Sequence, residues 1–169
     1  TDGTAAIVQF PGTLYRGGAE KKIRKYLIDG NYVDSVIQLP PDLFFGTTIA
    51  TCIVALKKSK SDNKTLFIDA SAEFVREGNK NVLTEENRKR ILNVFASRTG
   101  EEHFASLIPN EEIQDNDYNL SVSAYVEPED TREVINITEL NEKIRIIVAR
   151  QQALRAEIDE IVTELEGVI

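Results

Sequence analysis

The chain has 169 residues, 41% hydrophobic and 28% charged, a balance that builds a core and excludes a disordered chain. Lys and Arg number 20 against 28 Asp and Glu, a formal net charge of −8, which excludes a nucleic-acid grip made by clustered basic residues of this chain alone. The single cysteine excludes an internal disulfide or a Cys-based metal site, and no apolar run has the length of a membrane span, so a reducing, cytoplasmic setting is expected.

Methionine is absent, and the chain opens Thr1-Asp2-Gly3 directly before a strand pattern, which reads as a piece of a longer chain. Residues 4–10 form a buried strand stopped by Pro11-Gly12, and residues 13–19 a loop containing Arg16-Gly17-Gly18. Residues 20–27 have helical spacing, with Ile23, Tyr26 and Leu27 on one side and Lys21, Lys22, Arg24 and Lys25 largely on the other. Asp29-Gly30-Asn31 ends that helix. Residues 33–39 and 49–56 are strand-length and apolar on successive positions, the pattern of strands covered on both faces. Strand, helix, strand implies a parallel crossover between the first two. The loop after residue 39 has no helix signal, so the third strand is expected to return antiparallel. That loop carries Pro40-Pro41, Phe44-Phe45, Gly46, Thr47 and Thr48 at the end of a buried strand, where open α/β sheets bind ligands.

Residues 65–69 make a fourth short strand. Residues 70–81 read as a loop anchored by Phe74. Thr84 is a plausible N-cap for a helix whose apolar side is Ile91, Leu92, Val94 and Phe95. Residues 106–127 read as a loop with a short strand at 120–126, and 127–130 as a break.

Residues 135–169 read as one long helix. With Ile137 at heptad position a, that position holds Ile137, Ile144, Gln151, Ile158 and Leu165, and position d holds Leu140, Ile147, Leu154 and Ile161. Val148 and Val162 at position e widen the stripe beyond a two-stranded seam and imply a bundle of more than two helices. Gln151 is a polar a residue of the kind that specifies register. The g residues Lys143, Arg150, Glu157 and Glu164 run basic to acidic, which suits an antiparallel copy of the chain or an antiparallel partner of like pattern. About 30 helical residues extend roughly 45 Å, too far to bury the stripe on so small a body. A second chain or another helix pair is therefore expected to meet it, with packing in cis left open.

Candidate chemistry is sparse. His103 stands in an acidic stretch and reads as a surface residue; Asp69 follows a strand and reads as a turn or cap; Arg16 reads as a salt bridge at the start of a helix. Phe44 and Phe45 read equally as core residues. Cys52, inside an apolar strand, reads as inert.

Ala6-Ile7-Val8, the run from Pro11 to Glu20, Ile23-Arg24, Val36-Ile37-Gln38-Leu39-Pro40, the run from Leu43 to Ile53, Phe67-Ile68-Asp69-Ala70-Ser71, and Asp117-Tyr118-Asn119-Leu120-Ser121 with Tyr125 are collinear. Together they resemble the C-terminal part of the modification subunit of type I restriction enzymes. The resemblance implies an α/β fold, the distal part of a Rossmann-like methyltransferase sheet followed by a coiled-coil-like helix. It implies, for the full-length protein, methyl transfer from S-adenosylmethionine to the amino nitrogen of adenine flipped out of DNA. Such chemistry needs an Asn-Pro-Pro-aromatic motif and a Gly-rich cofactor loop. Here the one Pro-Pro, Pro40-Pro41, follows Leu39 instead of Asn, so no catalytic, cofactor-binding or metal residue is assigned and the chain alone is expected to be inactive. The resemblance puts Phe44, Phe45, Thr47 and Thr48 in the target-base pocket, with Phe44 in the best register. It makes the terminal helix the docking surface for the DNA-reading specificity subunit, with the restriction subunit in the same complex. The implied division is 1–70 methyltransferase portion, 71–130 helix and loop extension, and 131–169 assembly helix. Self-association of the isolated chain is expected. The alternatives are a non-catalytic assembly or regulatory module acting through the helix and, more remotely, a hydrolase using Asp69.

Overall fold

A computed structural model describes residues 2–129 and 137–166. The elements are β1 (Thr4–Gln9), α1 (Ala19–Asp29), β2 (Val33–Gln38), β3 (Cys52–Lys57), β4 (Lys64–Asp69), β5 (Val75–Glu77), β6 (Lys80–Val82), α2 (Glu85–Ser97), β7 (Ala105–Pro109), α3 (Asn110–Asp115) and α4 (Ile137–Glu166), with 3-10 turns at Pro11–Leu14 and Val122–Ala124. Two compact units result, Thr1–Glu129 and Asp130–Ile169.

The first unit is built on a five-stranded sheet of order β1-β3-β2-β4-β7. β3 is antiparallel to both β1 and β2, as the helix-free loop before it requires, and β1 and β2 therefore run the same way. β4 is parallel to β2, and β7 is antiparallel to β4. Successive apolar side chains serve two cores. On one face Val33, Val36, Val54, Phe67 and Ile108 pack with Ile28, Ile113, Leu120, Val122 and Val126. On the other, Ile37, Leu66, Ile68 and Ala105 pack with Ile91, Val94 and Phe104. Val33 and Val36 share a face because the β2–β3 register shifts between Val33 and Ser35, a bulge that resets the alternation.

Several expectations are corrected. β1 is not buried: all but Gln9 are exposed, and Val8 is 53% exposed, because β1 pairs along one edge only. On α1, Ile23 and Tyr26 are exposed, whereas Arg24, expected on the polar side, is 5% exposed. Its guanidinium donates to the carbonyls of Tyr118 and Thr13, each at 2.8 Å, which satisfies the charge inside the fold. Burial lowers its pKa, with Asp117 and Glu20 opposing. Residues 70–81 are not a plain loop, since β5 and β6 form an antiparallel hairpin there. Ala105–Pro109 is a fifth sheet strand. Residues 120–126 are no strand: Leu120, Val122 and Val126 plug a core around a 3-10 turn. α2 starts at Thr84, whose hydroxyl accepts from the Asn87 amide at 3.2 Å while the Asn87 side chain accepts from the Thr84 amide at 3.0 Å. Of its expected apolar side, Ile91 and Val94 are buried but Leu92 is exposed.

The second unit is α4, 30 residues or about 45 Å of helix. The apolar stripe residues Ile137, Leu140, Ile144, Ile147, Val148, Leu154, Ile158, Ile161, Val162 and Leu165 are all exposed, as is Gln151. The outer ends of the expected helix, 135–136 and 167–169, and Asp130 of the expected break lie outside the described residues. None of the described helices is long and apolar enough to cross a membrane.

Candidate functional site

β2 ends at Gln38, and the connection to β3 opens there. Its base is closed by hydrogen bonds: Leu39 N donates to Thr51 O at 2.8 Å, and Gln38 Nε2 reaches Thr51 O at 3.2 Å. Pro40 is fully buried, which fixes the loop's exit from the sheet. Beyond it the backbone turns through two left-handed residues, Asp42 (φ 54°) and Gly46 (φ 79°). Glycine suits the second, where any side chain is strained. Thr47 Oγ1 accepts from Ile49 N at 3.1 Å.

The β5–β6 hairpin is fastened to this loop. Asn81, 4% exposed, donates from Nδ2 to Pro41 O at 2.8 Å, and its backbone N–H donates to Asp42 O at 3.2 Å. Arg76 Nη1 lies 3.0 Å from both Asp42 Oδ2 and Asn81 Oδ1. Loop and hairpin together wall an open cavity of about 460 Å³, within the size range of small-ligand sites.

Of the expected pocket residues, Phe44, Thr47 and Thr48 line this cavity. Phe45 does not. It is 92% exposed, against 41% for Phe44, with Lys80 Nζ 4.3 Å above its ring centre, so it is not a core plug. Asn79 and Lys80, which complete the lining, were not among the sequence candidates. The signal for them was the turn Glu77-Gly78-Asn79 between two short β-compatible triplets, with Gly78 at φ 58°. Asp42 is the one carboxylate in the lining and is tied to Arg76. The carboxylate that could accept from a ribose, Asp42, is already tied to Arg76, and the lining has a single glycine, Gly46, in place of a Gly-rich turn, so these residues do not fit S-adenosylmethionine.

The other candidates fall elsewhere. Asp69 Oδ1 accepts from Ser71 N at 3.0 Å, a turn role. His103 is exposed, its Nδ1 3.0 Å from Glu127 O. Cys52 is buried, and burial pushes its thiol pKa up to about 11, so it stays protonated and unreactive near neutrality. Arg16 makes no ion pair among the described residues; its guanidinium lies against Gly12. A second cavity, about 320 Å³, holds Asp34, Lys60, Asp62 and Arg98. Its Arg98 is paired, with Nη1 2.9 Å from Asp34 and Nε 3.5 Å from Asp62, while Lys60 Nζ donates to Val33 O at 2.7 Å. No group of His, Cys, Asp and Glu suited to a metal occurs among the described residues.

The chain is similar to several known proteins. The type I restriction enzyme MpnII methylase subunit of Mycoplasma pneumoniae is 45% identical over 166 residues, covering 98% of this chain and 31% of that protein. The type I restriction enzyme MjaVII methylase subunit of Methanocaldococcus jannaschii is 36% identical over 171 residues, 96% of this chain and 29% of that protein. The crystal structure of a type I restriction-modification methyltransferase subunit from Streptococcus thermophilus superposes with a TM-score of 0.73 at 44% identity, covering 75% of this chain and 27% of that one. The chain thus spans about a third of the length of the curated relatives it matches. With residues 1–134 matching the pattern described as N-6 DNA Methylase, the chain belongs to that family.

Proposed function

We infer that this chain is the portion of a type I restriction-modification methyltransferase subunit that carries the target-base pocket and an assembly helix. In the full-length protein a methyl group passes from S-adenosylmethionine to the amino nitrogen of an adenine flipped out of DNA. The observation that carries this reading is the cavity at the carboxyl end of β2, walled by Phe44, Thr47 and Thr48. That strand end is where α/β sheets take ligands, and a flat aromatic there offers a flipped base stacking worth about 1–3 kcal/mol, which offsets part of the unstacking. β1, paired on one side and exposed, supports the view that the sheet is the distal part of a Rossmann-like one, with the remainder of the fold joining at that edge. The Asn-Pro-Pro-aromatic motif and cofactor loop are then supplied from the remainder, and this chain alone is inactive.

The α4 stripe is the surface for the specificity subunit, in a complex that also holds the restriction subunit and DNA, inside the cytoplasm. Its exposed apolar residues also suit the second reading, a non-catalytic assembly module. That reading calls for a self-sufficient sheet, and the open, apolar β1 edge argues against it.

A transfer assay with labelled cofactor and DNA tests the proposal. This chain alone should give no turnover, and Phe44→Ala in the full-length enzyme should lower kcat/KM roughly 5- to 150-fold, the stacking energy expressed as a rate. Turnover by the isolated chain, or an unchanged Phe44→Ala enzyme, would overturn it.

A further inference from the structure

We propose that the β5–β6 hairpin is a phosphate clamp, in which Lys80 holds the DNA backbone beside the flipped nucleotide. This rests on the base-pocket reading above but concerns residues outside that pocket's expected set. The hairpin has three residues per strand, too little to be stable by itself, yet it is held in place by Asn81 and Arg76. Those ties pair Asp42 with Arg76, and Lys80 is the other charged side chain of the lining: it makes no ion pair among the described residues, although Glu77 stands opposite it in the hairpin register, and its ammonium lies 4.3 Å from the Phe45 ring centre. A cation over an exposed aromatic is worth only about 0.5–1 kcal/mol, so the contact orients the ammonium without consuming its charge.

The cavity lining thus offers one unpaired cation in a chain whose net charge is −8. In this proposal the base lies against Phe44 while the phosphate of the same nucleotide meets Lys80, both of which line the cavity. A lysine there gives binding that is independent of base identity and sensitive to salt. Phe45, too exposed to serve the core, acts as the pedestal that keeps the lysine over the mouth.

The test uses the full-length methyltransferase in its complex and a duplex containing its site, identified from N6-methyladenine positions in the host genome, with 2-aminopurine at the target base. Wild type should change 2-aminopurine emission on binding. Lys80→Ala should keep that change at saturating protein and, on the same duplex with adenine at the target position, should raise KM for DNA several-fold with kcat nearly constant, as for an interaction equal in ground and transition states. Its plot of log affinity against log salt should be shallower by about 0.9, the value of one lost phosphate contact. Lys80→Arg should restore the slope. An unchanged slope with retained emission change overturns the clamp and leaves the pocket standing; no emission change in wild type overturns both.

Discussion

Arg24 shows how a single side chain can organise a fold while looking like a surface residue. Its two 2.8 Å bonds join α1 to the carbonyls of Thr13 and Tyr118, segments that flank the core containing Leu14 and Leu120. Arg24→Ala leaves both carbonyls without this donor, and urea unfolding should show a loss on the order of 2–3 kcal/mol, whereas Arg16→Ala should stay within about 0.5 kcal/mol. The helical spacing of residues 20–27 was legible, but it sorts Arg24 with the lysines, because periodicity registers polarity and is blind to distant carbonyls. Cys52 and Asp69 were legible because each depends on its immediate neighbours: an apolar strand in one case, a turn two residues long in the other. At the cavity the sequence marked Phe44, Thr47 and Thr48, yet Lys80 arrives from a segment some 30 residues later and no local pattern ties it to the loop.

At the scale of elements, β3 and β4 declared themselves by the apolar runs Ile53-Val54-Ala55-Leu56 and Leu66-Phe67-Ile68, and β2 by Val33, Val36 and Ile37, although its Asp34 and Ser35 are buried as well. β7 did not. Ala105-Ser106-Leu107-Ile108-Pro109 mixes small and polar residues and ends in proline, which an edge strand tolerates. Leu120, Val122 and Val126 misled in the opposite direction, since their even spacing, two and then four residues, imitates a strand where the chain makes a buried 3-10 plug. The hairpin was hidden because Arg76, Glu77, Lys80 and Asn81 leave little apolar signal. Its stability rests on its ties to the loop, so Asn81→Ala should speed amide exchange across residues 75–82 at least tenfold while β2 and β4 keep their protection. Equal exchange before and after the substitution would show that the hairpin stands without Asn81.

At the scale of the whole molecule, the chain forms two compact units. Residues up to Glu129 contain both buried clusters, so a chain ended there should still unfold in one cooperative transition. It should also lose the part of self-association that the α4 stripe drives, seen in sedimentation velocity as a smaller weight-average mass at equal concentration. An unchanged mass would remove the stripe from the account of assembly.

The open side of β1 has a practical consequence for anyone handling the isolated chain. Thr4–Gln9 contains neither lysine nor proline, the residues that usually discourage edge-to-edge growth, and it leaves Ile7 and Val8 bare. The eight surplus negative charges hold neighbouring molecules apart only while the buffer is dilute in electrolyte. Raising sodium chloride, the customary remedy for sticky preparations, should here hasten turbidity.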